Sequence, residues 1–186
     1  MKLYVMDLEK YHRGKYIEYY LGLFPKYEQK YENYYIWDFI QSDLIYELCK
    51  NKYVIIDISD DEFNSIYDYY PRLKSSKKDM NYFAKDLISL ECVNKEIILD
   101  FIKGTDIWDC TEIVSFYCYE NSDFNDEILE FKNKDDLEKS NYLTKIFPTG
   151  DSLGIAIVTK SEDNHVVDIV REVLMQYSVT LNIVNK

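Results

Sequence analysis

The clearest hydrophobic pattern in the chain is its final stretch, in which a strand, a helix and a strand follow one another. Leu153–Thr159 is a mostly apolar run of the length of a buried strand. A helix is predicted to begin at Ser161, because a capping hydroxyl followed by acidic residues complements the helix dipole. Val179–Val184 predicts the last strand. The apolar stripe of the helix comprises Val166, Val170, Val173, Leu174 and Tyr177. This order predicts a C-terminal β-α-β unit with a right-handed crossover.

The N-terminal region shows similar ingredients. Leu3–Leu8 alternates as a strand does and leads into a turn around Gly14. Apolar residues recur at three and four positions between Trp37 and Lys50, which predicts an amphipathic helix. Tyr53–Ile58 is short, apolar and rich in β-branched residues, so it predicts another strand. The fold class is therefore α+β, with a mixed small sheet or sheets and packed helices.

The middle of the chain contains a predicted boundary. A capping box at Ser59 starts a helix that Pro71 ends. The basic stretch Arg72–Lys78 is typical of an exposed loop or a junction between subdomains. We therefore predict an N-terminal α/β subdomain at residues 1–74 and a C-terminal α+β subdomain at 75–186, with a single domain as the alternative.

Helical spacing resumes after this boundary. Asp79 is a suitable cap for a helix whose apolar positions include Phe83, Leu87 and Ile88. A continuation of that helix, or a second one, is predicted to end at Gly104.

A strand and its return are predicted further along. Glu112–Glu120 alternates in polarity, which places Tyr117 and Tyr119 on the face opposite the core and predicts that they point to solvent. Ile128–Lys132 is predicted to return as the second strand of a hairpin. Lys134–Phe147 has moderate helical character.

Charge and composition limit the possible partners. The net charge of −12 repels nucleic acids and anionic membranes, so a basic protein becomes the expected partner. The nineteen tyrosines supply the large amphipathic contact area that interfaces favour, although an AT-biased genome would also produce them. The four cysteines form no CxxC pair and indicate buried free thiols in a reducing compartment. The N-terminus has no signal-peptide pattern, and we expect a cytoplasmic protein.

The strongest functional signal is the acidic segment Gly104–Phe131. It carries eight carboxylates and no Lys or Arg, interleaved with aromatic residues that a disordered acidic tail would lack. We therefore expect a folded acidic surface with aromatic contact points that binds a basic groove. The residues predicted to contact the partner are Asp106, Trp108, Asp109, Glu112, Tyr117, Tyr119, Glu120, Asp123, Asp126, Glu127 and Glu130.

Catalytic and metal-binding signatures are weak. His12 and His165 lack the neighbours that a zinc site or a catalytic triad needs, and both are expected at the surface. Asp57 begins a pattern similar to a calcium loop, but Glu62 stands where that loop requires Gly. The remaining enzymatic alternative is Glu130-Phe131-Lys132, an E-x-K arrangement that metal-dependent nucleases use to hold Mg²⁺. We predict no enzymatic activity, no cofactor and no metal.

The N-terminus resembles a known family. Leu3-Tyr4-Val5, Asp7-Leu8, Tyr11 and Gly14 resemble the opening strand and turn of the ArdA antirestriction proteins. Tyr31-Glu32, Tyr34, Ile36 and Asp38 are similar to the acidic-aromatic stretch that follows in that family. His12, Glu18 and Tyr20 depart from the family pattern. Members are acidic DNA mimics that block type I restriction enzymes, so the resemblance implies an inhibitor of similar style.

These observations converge on one functional expectation. The chain is predicted to be an acidic inhibitor that covers the basic nucleic-acid-binding cleft of a defence nuclease or a related protein, as antirestriction or anti-CRISPR proteins of phages and mobile elements do. The alternatives are an immunity protein that neutralises a cognate toxin and a Mg²⁺-dependent nuclease that uses the E-x-K residues.

Overall fold

The computed structural model describes residues 4–22, 34–58, 80–84, 87–90, 95–96, 98–99, 114–120, 139–149, 154–160 and 165–186. Within these ranges the chain forms nine strands and two long helices. The strands are β1 (Tyr4–Arg13), β2 (Tyr16–Gly22), β3 (Tyr53–Ile58), β4 (Met80–Ala84), β5 (Leu87–Leu90), β6 (Val114–Tyr119), β7 (Thr144–Pro148), β8 (Gly154–Thr159) and β9 (Val179–Asn185), and the helices are α1 (Tyr34–Cys49) and α2 (His165–Gln176).

All nine strands belong to one sheet, in the order β4-β5-β3-β6-β7-β8-β2-β1-β9. Neighbours pair antiparallel except β1 and β9, which are parallel, so the sheet is mixed. The predicted α+β class is confirmed. Strands from both sides of the predicted boundary after residue 74 share this sheet.

Two helical crossovers lie in one layer over the sheet. α1 joins β2 to β3, and α2 joins β8 to β9; the strand pairings place both strands of each unit in the same direction. The two helices contact each other, and the Tyr177 hydroxyl just after α2 donates a hydrogen bond to Asp43 Oδ2 of α1 at 3.0 Å. The predicted C-terminal β-α-β unit is confirmed, with β2 and β1 lying between its two strands.

The main core lies between the helix layer and the sheet. The predicted stripe of α2 is confirmed, since its four aliphatic members are buried and Tyr177 packs against the core. α1 contributes Leu44 and Leu48, each at most 2% exposed. Burying one such side chain stabilises the fold by about 1.5–3 kcal/mol. From the sheet come alternate residues of each strand, among them Leu8, Tyr19, Leu21, Val54, Ile56, Phe116, Ile146, Ile155 and Ile157.

Local turn chemistry explains the first hairpin. β1 and β2 are joined by Gly14 and Lys15, with Arg13 paired to Tyr16 across the turn. Gly14 has φ 62°, a left-handed value at the first turn position, where a type II′ turn takes glycine. The sequence prediction of a turn at Gly14 is confirmed, and β1 continues past the predicted Leu8 up to it.

The second face of the sheet differs from one half to the other. On β3 and β6 it is closed: Ile55, Tyr117 and Tyr119 are at most 2% exposed. On β1, β2 and β9 it is open, with half-buried and exposed polar and aromatic side chains. The prediction that Tyr117 and Tyr119 point to solvent is therefore wrong. Alternation gave their side of the strand correctly, but β6 is a central strand with both faces covered.

Two helical predictions are also wrong. The residues predicted to form a helix capped by Asp79 instead form β4 and β5. These two strands pair with each other, and β5 also pairs with β3. The four-residue spacing from Phe83 to Leu87 mimics a helix, whereas pairing with a distant strand decides the structure. Within Lys134–Phe147, Thr144 and Ile146 are buried in β7, with the two-residue period of a strand.

β6 pairs with β3 on one side and with β7 on the other. Helical residues 95–96 and 98–99 agree with the helix predicted to end at Gly104. The helix from Ser59 to Pro71, the basic stretch Arg72–Lys78 and Ile128–Lys132 lie outside the described residues.

The described cysteines are buried and reduced. Cys49 and Cys118 are free thiols with their sulfur atoms 3.2 Å apart, as the sequence predicted for thiols in a core. Burial raises the pKa of the Cys49 thiol well above its ordinary value, with a further contribution from Cys118. Cys92 and Cys110 lie outside the described residues.

Candidate partner-binding surface

The structure describes three of the residues predicted to contact a partner. Tyr117 and Tyr119 lie in β6, and Glu120 follows that strand with an exposed side chain. The other eight, Asp106, Trp108, Asp109, Glu112, Asp123, Asp126, Glu127 and Glu130, lie outside the described residues.

Tyr117 and Tyr119 have internal roles. The ring of Tyr117 packs edge-on against that of Tyr142, with centroids 5.4 Å apart, and Lys145 Nζ lies 5.1 Å from the Tyr117 centroid. The Tyr119 hydroxyl is hydrogen-bonded to Ser140 Oγ at 2.7 Å. These contacts hold β6 to the neighbouring chain segment.

Partly exposed tyrosines lie on β1 and β2, towards the edge of the sheet that β9 forms. We call the exposed side of β1, β2 and β9 the hairpin face. It follows from the strand registers and from the alternation of buried and half-buried residues along β2. Its members are Val5, Asp7, Glu9, Tyr11, Arg13, Tyr16, Glu18, Tyr20, Thr180, Asn182 and Val184.

Each carboxylate of the hairpin face accepts a hydrogen bond from a neighbouring side chain. Glu9 Oε2 accepts one from the Tyr11 hydroxyl at 2.5 Å, and Glu18 Oε2 accepts one from the Tyr20 hydroxyl at 3.1 Å. Asp7 Oδ1 accepts one from Asn182 Nδ2 at 2.8 Å. Charge-assisted hydrogen bonds of this kind fix the position of a carboxylate that would otherwise move freely.

The acids and tyrosines form a crossed pattern. Glu9 pairs with Tyr20 across the strands, and Tyr11 pairs with Glu18. The rings of Tyr11 and Tyr20 meet edge to face, with centroids 5.4 Å apart and an interplanar angle of 86°. Each tyrosine thus donates a hydrogen bond to the acid two residues away on its own strand and lies directly opposite the acid of the other strand.

The hydrogen bonds also shift the acidity of these groups. The hydrogen bond from Tyr11 lowers the pKa of Glu9, against a smaller opposing effect of burial. The same bond raises the pKa of Tyr11. Burial, followed by the hydrogen bond to Glu18, raises the pKa of Tyr20. At neutral pH the face therefore presents ionised Glu9 beside protonated tyrosines.

Two cations partly compensate the carboxylates. Arg13 Nε lies 3.0 Å from Glu18 Oε2, and Lys186 Nζ lies 3.3 Å from Glu9 Oε1. The hairpin face therefore carries three carboxylates, and two cations lie beside them. The hairpin face is an ordered acid–aromatic surface, and the larger part of the net charge of −12 resides elsewhere in the chain.

Sequence reasoning missed the hairpin face as a contact surface. Its signal is a repeated Glu-x-Tyr spacing, Glu9 to Tyr11 and Glu18 to Tyr20, on either side of Gly14. In a hairpin whose turn is centred there, this spacing places both acids and both tyrosines on one face.

Metal and catalytic chemistry gains no support from the described residues. Within them, no group of three or more His, Cys, Asp or Glu side chains is placed to hold a metal ion. His12 and His165 are exposed, as predicted, at the end of β1 and the start of α2. Asp57 is buried in β3. Glu130-Phe131-Lys132 lies outside the described residues.

Comparisons with known proteins add no relative. No family model matches the chain, no curated protein matches it, and no solved structure matches its fold. The ArdA resemblance therefore stays a prediction. Across the described ranges, no helix combines the length and apolarity that crossing a membrane would need.

Proposed function

We propose that this protein is a cytoplasmic, non-enzymatic inhibitor that binds the basic nucleic-acid-binding cleft of a defence nuclease or a related protein. The observation that carries the proposal is the hairpin face, on which each carboxylate is held by a neighbouring donor. An acidic surface that is fixed before binding loses less conformational entropy when it docks.

The acidic segment Gly104–Phe131 would supply most of the attraction in this proposal. Its eight carboxylates have no Lys or Arg among them in sequence. Such a field accelerates encounter with a basic target, whereas buried aromatic anchors slow dissociation. Because Tyr117 and Tyr119 are buried, we assign the anchoring role to Tyr11 and Tyr20 of the hairpin face.

The spacing of the carboxylates fits a nucleic-acid-binding cleft. Asp7 and Glu9 lie two residues apart on one face of β1, which corresponds to about 6.6 Å at a rise of roughly 3.3 Å per residue. This is close to two steps of one DNA strand at about 3.4 Å each. A target that grips phosphates at that pitch would meet carboxylates at a similar separation.

The resemblance to the ArdA proteins supports the same class of target. The residues that carry it, from Leu3 to Gly14, coincide with β1 and the hairpin turn, and β1 supplies Asp7, Glu9 and Tyr11 to the hairpin face. A type I restriction enzyme is therefore the first target to test, followed by CRISPR nucleases.

The direct experiment measures DNA cleavage by a purified type I restriction enzyme while the concentration of this protein is raised. We expect inhibition that weakens steeply with salt, because charge neutralisation drives binding. Replacing Asp123, Asp126, Glu127 and Glu130 by their amides should reduce the salt slope. Replacing Tyr11 and Tyr20 by Ala should speed dissociation.

A matched control changes the same kind of charge on the helix layer. Asp168→Asn with Glu172→Gln alters two exposed acids of α2 and should leave inhibition unchanged. If neither restriction nor CRISPR nucleases are inhibited at any salt concentration, the inhibitor proposal is wrong. Neutralisation of a toxin encoded beside this chain would then favour the immunity protein.

A further inference from the structure

A cavity of about 290 Å³ opens at one edge of the sheet, beneath the start of α2. Two strands that run in the same direction, β6 and β8, end at this edge, and α2 begins there. Ligands in sheets with helical crossovers commonly bind where strands end and the following helix begins. The cavity is independent of the hairpin face.

Among the described residues, the lining of the cavity carries more basic than acidic side chains, although the chain is acidic. Lys52, Lys160 and His165 line it, and Glu120 is the acid among the lining residues that the structure describes. On a chain of net charge −12, such a local reversal of sign concentrates small anions at one place.

The two ammonium groups are held in position. Lys52 Nζ donates a hydrogen bond to the carbonyl oxygen of Leu48 at 2.9 Å. Lys160 Nζ donates to Asn141 Oδ1 and lies 5.5 Å from the ring centroid of Tyr142. Because an ammonium group carries three donors, each lysine keeps donors for a ligand after these contacts.

Two buried threonines complete the site. Thr144 of β7 and Thr159 of β8 are directly paired in the sheet register and are 4% and 6% exposed. Both line the cavity. The next pair on the same face is apolar, Ile146 with Ile157. The threonine pair therefore places two hydroxyl groups, each able to donate a hydrogen bond, at the wall of the cavity.

We propose that this cavity binds the phosphate group of a small phosphomonoester. Two fixed ammonium groups, two hydroxyls and an imidazole offer the several donors that a tetrahedral, multiply charged oxyanion requires. The volume accommodates a phosphate with a compact organic group and excludes a nucleic acid duplex. Leu48 and Val166, which also line the cavity, would contact the organic part.

The test titrates phenyl phosphate into the full chain by calorimetry and follows the imidazole signals of His165 by NMR. We expect saturable binding that Lys160→Met and Thr159→Val each weaken by at least about tenfold, since each removes a donor to a charged ligand. Glu120→Gln should bind several-fold more tightly because it removes the carboxylate that opposes the anion.

Lys50→Met is the matched control. It removes the same charge just after α1, where Lys50 pairs with Glu47 outside the cavity lining, and it should leave the affinity unchanged. Far-UV circular dichroism checks the fold of each variant. If Lys160→Met does not fold, Thr159→Val serves as the test variant.

Titration with inorganic phosphate separates the two parts of the ligand. Weaker binding of inorganic phosphate than of phenyl phosphate supports apolar contacts to the organic group, and equal binding supports contacts to the phosphate group alone. Absence of saturable binding, or equal effects of Lys50→Met and Lys160→Met, would overturn the proposal.

Discussion

Tyrosines have different structural roles in the central region and in the hairpin region of the same sheet face. In the central region, Tyr117 is fully buried against Tyr142 and Lys145. In the hairpin region, Tyr11 and Tyr20 are half-buried and hold carboxylates by their hydroxyls. The difference shows that the side of a strand on which a residue lies does not decide its role. Coverage of that side decides it.

Tyr16 links the two regions. Its ring stacks on that of Tyr142 with centroids 6.1 Å apart, and Tyr142 in turn contacts Tyr117. Aromatic packing therefore runs from the closed half to the open half. We expect the loss of unfolding free energy on truncating a tyrosine to decrease along this path as the burial of the ring decreases.

The sharpest contrast is between Tyr117→Ala and Tyr11→Ala. Removing the buried ring should lower the free energy of unfolding by about 3–5 kcal/mol, because a cavity forms in closed surroundings. Removing the half-buried ring should lower it much less, because no closed cavity forms and the hydrogen bond that is lost lies at the surface. Urea unfolding at constant m-value measures both. Equal losses would mean that the two halves are equally covered.

The seam between the halves offers a second test, Gly154→Ala against Gly22→Ala. A Cβ at Gly154 would lie 2.5 Å from the backbone oxygen of Leu21, whereas one at Gly22 would meet nothing within 4 Å. We expect a loss of about 1–3 kcal/mol for Gly154→Ala and a change within about 0.5 kcal/mol for Gly22→Ala. Thermal unfolding of both variants checks this. Tolerance of Gly154→Ala would show that β2 and β8 separate easily.

Tyr177→Phe tests the contact between the helices above the sheet. Burial, and then the hydrogen bond to Asp43, raises the pKa of Tyr177 from 10 to about 12. Because the folded pKa is the higher one, this stabilisation is complete below pH 10 and is lost as the pH rises towards 12. Tyr177→Phe should cost about 1 kcal/mol at neutral pH and flatten this alkaline loss. An unchanged alkaline profile would contradict the assignment to Tyr177.

The smallest effect is expected for Glu9→Gln on the open face. The folded pKa of Glu9 is lowered from 4.5, so its stabilisation is present above that pH and disappears as the pH falls through the folded value. Since Glu9 is largely solvated, we expect about 0.5 kcal/mol or less. The small difference in stability between Glu9→Gln and the control Asp168→Asn should therefore be present at neutral pH and disappear as the pH falls below about 4.5, which acid unfolding of both variants measures. A larger loss at neutral pH would indicate that the face is less open than described.

Local signals made several elements predictable. Helical spacing located α1 and the stripe of α2, and a short β-branched run gave β3 with both ends correct. These elements depend on patterns within one segment. The alternation of β6 was also visible, because its period is intrinsic to a strand.

Long-range pairing explains what sequence reasoning got wrong. β5 forms because it pairs with β3, which lies far earlier in the sequence. The local spacing of Leu87 and Ile88 contains no information about that pairing. Tyr117 and Tyr119 were placed on the correct side but were expected in solvent, since no local pattern reveals that both faces of β6 are covered. The Glu-x-Tyr repeat was readable, yet its meaning required the register of β1 and β2.

The first strand obtains its two neighbours from widely separated parts of the sequence. β1 pairs with β2, which follows it directly, and with β9, and Lys186 N donates a hydrogen bond to Lys10 O at 3.0 Å. Because contacts of such wide sequence separation form slowly, we expect β9 to join this edge of the sheet late in folding. The hairpin face is therefore complete only after β9 has docked beside β1.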